Sequence, residues 1–368
     1  MLHAVLFLLP FCLFQESDDV KEGADALLGT VDLAEWDEWF QKEAPDIPFC
    51  PSEFVQGIVN MEETDDTQTI IDRVGRLLLP TAKTGCAKLI LFTGIGILAG
   101  LLSGVSSDAS VFEAATHAFR IAASCTVLTA AAAEIQGAYG MLHTVSGLAE
   151  RALPVLIGFL TLCGMEHSAS AMLPLFTILS AWMIRVIETM VIPLGCIGGV
   201  LISFDTCANG RLASLGRLFL RAARTVLGVI GLGYGLFGTF RAAAAVNADG
   251  LMIRTAKLAA GSLPAVGGIV SESVETAYRC MLFVRNALGL GCAAMLLLAC
   301  ARPVLNVFVL RCAARASSAL SEPISGKAYA ELLHGISDLL HILMLSELAA
   351  AAMALTAISP VLGTFGIL

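Results

Sequence analysis

Between Lys88 and Asp108 the chain runs 89-LILFTGIGILAGLLSGVSS-107, nineteen residues without a charge. At about 1.5 Å per residue such a helix covers roughly 28 Å, close to the thickness of a bilayer core. Comparable apolar runs recur at 121–142, 152–164, 169–185, 186–204, 222–244, 280–300 and 339–360. A chain that repeats this pattern cannot be solvated as a set of soluble domains. It reads as an all-α polytopic membrane protein of about eight transmembrane helices. Only 14% of its residues are charged, well below the soluble norm.

The charges are unevenly spread. Residues 16–76 carry 17 acidic and four basic side chains, and the remaining residues carry 14 and 18, which together give the net −9. An acidic head on a mildly basic apolar body implies two compartments. No basic stripe lies on the polar part, so nucleic acid is not an expected partner. The organisation expected is a signal peptide or retained anchor at 1–15, an acidic extracytoplasmic helical head at 16–80 and a multi-pass membrane domain at 81–368. In the head, Leu33, Trp36 and Phe40 recur at helical spacing, suited either to a membrane or partner surface or to packing within the head.

Basic residues orient the body. Arg211, Arg217, Arg221 and Arg224 form one cluster and Arg302, Arg311 and Arg315 another, and both read as hydrophilic connections on the cytoplasmic side. Five spans between an external head and the first cluster place it there. The segment 249-DGLMIRTAKLAAGSLPAVGGIVSESVET-276 then faces outward. Its uncharged part, 258–271, is too short to span and contains Pro264, Gly267 and Gly268, so a re-entrant or interfacial break is expected. The flanking Asp249, Arg254, Lys257, Glu272 and Glu275, with Arg285 and Asn286 in the next span, either line a polar vestibule or mark solvated helix ends.

Glu134 lies centrally in its span and is a candidate intramembrane polar group. Arg185 and Glu188 read as a local pair at a turn between two spans. Gly96, Gly100 and Gly104 recur every four residues and form a helix-packing face, and 231-GLGYG-235 reads as helix packing too. His334, Asp338 and His341 share a helical face, but a polar face entering the last span accounts for them better than a metal site. The 11 cysteines show no CxxC or zinc spacing. No catalytic motif is present, so neither an enzyme nor a cofactor is expected.

The run 249–276, continuing through Arg285-Asn286, Gly289 and 296-LLLACARPVLN-306, closely resembles stage III sporulation protein AE. In that family D-G-x-x-I-R-T-A-K, a P-x-V-G segment, a basic-Asn pair and a cysteine-then-proline span follow in this order. The likeness continues through Pro323 and 332-LLHGISDLLHIL-343. It implies a multi-pass protein of the mother-cell membrane around the forespore. The implied role is non-enzymatic, within a transenvelope, secretion-like channel complex that sustains forespore development. The partners implied are other stage III sporulation membrane proteins, a secretion-type ATPase and a forespore-side channel component. A stand-alone secondary transporter of unknown substrate is the alternative reading.

Overall fold

The computed structural model describes residues 18–29, 33–43, 45, 49–60, 67–104, 109–162, 173–205, 212–261, 267–325 and 327–358. The segment 1–15 lies outside them, as do Arg211 and Pro264. Among the described residues every regular element is a helix. Three short ones open the chain: α1 (Asp18–Leu28), α2 (Ala34–Glu43) and α3 (Pro51–Asn60). Then come α4 (Thr67–Gly104), α5 (Ala109–Leu162), α6 (Leu173–Val186), α7 (Ile192–Asp205), α8 (Ala213–Gly261), α9 (Gly267–Ser325) and α10 (Lys327–Ile358).

The registers can be read from close approaches. Gly85 meets Val309, Gly96 meets Ser321 and Gly100 meets Ile324, offsets of 224, 225 and 224, so α4 and α9 run parallel in constant register. The α9–α10 pair is a tight antiparallel hairpin in which Ser318 Oγ donates to Ala330 O at 3.0 Å. In the α7–α8 hairpin, a Cβ on either Gly198 or Gly216 would stand 2.9 Å from the other's carbonyl oxygen. Only glycine permits that approach. The ends of α4, α7 and α9 thus gather at one end of the bundle, with the starts of α8 and α10.

The head packs at the other end. Trp36, Trp39 and Phe40 are buried, and Leu33 with them. The ring centroids of Phe40 and Phe49 are 5.2 Å apart, edge to face. Gly291 of α9 admits Val55 and Trp36, while Thr144 of α5 donates to Glu43 at 2.9 Å. The apolar stripe of α2 is therefore used for packing within this chain. The boundary placed at residue 80 falls inside α4, which runs unbroken from Thr67.

Five helical segments among the described residues are long and apolar enough to cross a membrane: Pro80–Leu101, Ala118–Leu148, Thr177–Asp205, Arg279–Ile324 and Tyr329–Ile358. This is a multi-pass membrane protein, but these five do not reach the expected eight. Two expected pairs have merged, and the run 222–244 on α8 is not among the five. The run 121–142 and the described part of 152–164 both lie on α5, which continues through Pro154. The described part of 169–185 and the run 186–204 form one rod, because α6 passes into α7 through a π-helical turn, Ile187–Val191. There the Ile192 N–H donates to Ile187 O, five residues back. Pro193 follows directly, and a widened turn suits a residue that has no N–H and crowds the preceding carbonyls. Arg185 and Glu188 are a local pair at 3.3 Å, as expected, but on a continuous helix rather than at a turn between spans.

The merging leaves parity unchanged, because three crossings instead of five still precede α8. Arg217, Arg221 and Arg224 occupy its exposed first turns, at the end of the bundle away from the head. Arg302, Arg311 and Arg315 form no connection; they lie along α9 itself. On a cysteine-free background, a cysteine at Gly210 should be labelled only from the cytoplasm and one at Gly250 only from outside. Cytoplasmic labelling at Gly250 would break the parity.

Candidate functional site

Where α4, α5 and α9 meet, the bundle forms a half-open cavity of about 140 Å³ within the membrane-crossing segments. Its walls are polar for such a place: Thr81, Thr84 and Lys88 from α4, Glu134 from α5, and Arg302 and Asn306 from α9. Val309 lies where a Cβ on Gly85 would stand, so this glycine sets how closely α9 closes the site. Thr84 Oγ1 back-bonds to Pro80 O at 3.0 Å, which satisfies its hydroxyl locally.

Glu134 is the centre of the arrangement. Lys88 Nζ donates to its Oε1 at 2.8 Å across 46 residues of sequence, with both side chains largely shielded, 24% and 12% exposed. An ion pair of this length in a water-poor site is a charge-assisted bond that ties α4 to α5. One layer deeper, Glu347 of α10 is fully buried, and neither carboxyl oxygen has a hydrogen-bond partner. Glu134 and Cys300 lie within electrostatic reach of it.

The residues singled out from sequence are dispersed. Glu134 is in the cavity. Arg285 and Asn286 are not: they lie on α9 about 25 Å along the helix from Arg302, beside the head. Arg285 is 8% exposed, and Asn286 Oδ1 is buried without a partner. Asp249, Arg254 and Lys257 fall within α8, and Glu272 and Glu275 in the first turns of α9; only their helical backbone is described. Gly267 and Gly268 open α9, so both described flanks of the expected break, 258–261 and 267–271, are helical. Gly96 and Gly100 face α9, and Gly104 ends α4. In 231-GLGYG-235 packing falls to Tyr234, whose hydroxyl donates to Met353 O at 2.8 Å. A Cβ on Gly231, Gly233 or Gly235 would meet nothing within 4 Å, so among the described residues they are not the packing face expected of them.

Lys88, Arg302, Asn306 and Glu347 were missed as site residues. Glu347 carried a signal, because His341 and Glu347 are the only ionisable residues in 339–360. His341 itself sits among Arg224, Arg311, Arg315 and Asp338, and no metal-binding group occurs among the described residues.

All of these cavity residues lie within a match to a known family. The family model of stage III sporulation protein AE covers residues 50–364, from the start of α3 through the last described helix. The chain belongs to that family. No curated protein and no solved structure matches it. Membership makes this a sporulation protein, and every membrane-crossing helix named above belongs to the matched part.

Proposed function

We propose that this protein is a non-enzymatic integral membrane component of a transenvelope, secretion-like channel complex, seated in the mother-cell membrane around the forespore. In this reading it sustains forespore development together with other stage III sporulation membrane proteins, a secretion-type ATPase and a forespore-side channel partner. The observation that carries the reading is the family match over the whole bundle. Two features of the fold support it. The core is a set of membrane helices around a polar cavity, suited to positioning or conducting rather than to covalent chemistry. One face of α8 also presents Arg217, Arg221 and Arg224 followed by Gly228, Gly231 and Gly235, which pack on nothing among the described residues. Open glycines at helical spacing suit the close approach of another subunit's helix.

The test is to solubilise membranes from sporulating cells and recover the tagged full-length chain. The other stage III membrane proteins and the ATPase should co-purify, and deletion should silence late forespore reporters while engulfment proceeds. A chain that purifies alone and moves solute by itself in liposomes would be a transporter, and the complex reading would be wrong.

A further inference from the structure

Glu347 lies twenty residues into α10 and eleven from its end, so about 30 Å and 17 Å of helix separate it from the two termini. A glutamate side chain cannot reach water over either distance. It faces the bundle interior, where its own helix supplies no donor: the neighbouring Ser346 hydroxyl is turned to Ile342 O at 2.9 Å. Of the elements packed against α10, α5 presents Glu134 and α9 presents Cys300. No charged group of α6, α7 or α8 is among the described charges that act on it.

An ionised carboxylate so placed, with no donor and no cation among the described residues, is strongly disfavoured. The neutral acid is the form that this site holds. Glu134, the described charge that acts on it, is already committed to Lys88. Lys88 and Arg302 line the cavity with Glu134, whereas no cation is among the described charges that act on Glu347, so a proton is what neutralises that carboxyl. The cavity supplies the access. Its polar walls and volume of about 140 Å³ accommodate more than one water, and Glu134 is one of its walls.

We propose that Glu134 and Glu347 form a proton-binding pair within the membrane, loaded and unloaded through the cavity between α4, α5 and α9. Loading begins with Glu347 ionised. A hydronium ion in the cavity protonates Glu134, leaving water and releasing Lys88 Nζ. Because neither Glu347 oxygen has a hydrogen-bond partner, Glu134 passes that proton on by way of a bridging water to a Glu347 oxygen, recovers its charge and re-forms its bond to Lys88. The net change is one proton moved from cavity water to Glu347, and unloading is the reverse. Each transfer opens and remakes the link between α4 and α5, so proton occupancy is tied to the contact between those helices.

The inference uses the cavity but does not depend on the channel complex, and its test is read on the purified full-length chain in lipid nanodiscs. At neutral pH the infrared spectrum should contain the carbonyl stretch of a protonated carboxyl, and Glu347→Gln should remove it. Lys88→Met should keep the band but move the pH at which it is lost. A wild-type spectrum without the band, or a band unchanged by Glu347→Gln, overturns the proposal. So does displacement of the band by sodium or potassium at constant pH, which would make this a metal-cation site. In sporulating cells, Glu347→Asp should retain heat-resistant spores and Glu347→Gln should lose them at normal protein level. Full spore yield from Glu347→Gln would mean that the proton is not used.

Discussion

Gly100→Leu should be among the most damaging single substitutions in this chain. A Cβ at that position would stand 2.5 Å from both the carbonyl oxygen and Cγ2 of Ile324 in α9. The oxygen belongs to helix backbone and cannot rotate away as a side chain can. Leucine adds three more carbons to the same gap, so α4 and α9 must separate where their register is set. Overpacking of a yielding site costs about 1–3 kcal/mol, and an unyielding one should reach at least the top of that range. The expected outcome is a steep fall in steady-state protein in sporulating membranes and an early unfolding midpoint in mixed micelles. Gly94→Leu is the control on the same helix, because a Cβ there meets nothing within 4 Å. Equal protein levels for the two variants would mean that α4 and α9 do not approach in this register.

The second large effect belongs to Lys88. Lys88→Met keeps most of the length of the side chain and removes its charge, leaving the Glu134 carboxylate without its bonded ammonium at a position only 12% exposed. Breaking a buried pair from one side typically costs about 3–5 kcal/mol, and the partial exposure of Lys88 places this case near the lower figure. Adding Glu134→Gln to Lys88→Met should restore most of the loss, since a neutral amide no longer needs the ammonium. The measurement is the unfolding midpoint of the single and double variants. A double variant less stable than either single would show that the two residues do not act as a pair.

The membrane class was legible in the sequence because runs such as 89–107 admit no other solvent. The helix ends were less so, and the reason is physical. Lys88 was read as the edge of a span because a lone charge ends an apolar window. In the fold Glu134 neutralises it, and α4 simply continues. Arg185 and Glu188 were read as a connection for the same reason, yet an i, i+3 pair satisfies both charges on one helix. Periodicity along one chain says nothing about a partner 46 residues away, so the Lys88–Glu134 bond and the cavity beside it could not be found from spacing. Glu134 itself was found, because a central acid in a span has few unremarkable explanations. Glu347 rests on the same argument and was overlooked among the alanines that follow it. The head was half legible: the stripe of Leu33, Trp36 and Phe40 was visible, but its choice of α9 and α5 as the surface to meet was not.

The length of α8 has a mechanical consequence. Its 49 residues extend for about 73 Å along the axis and include no proline, whereas a bilayer core occupies about 30 Å. Some 40 Å of one unbroken rod therefore lies beyond the hydrocarbon. A helix without a hinge resists bending and twisting, so a tilt or rotation imposed at one end arrives at the other with little attenuation. Whatever grips the arginine-bearing first turns of α8 thus holds a lever longer than a bilayer core is thick.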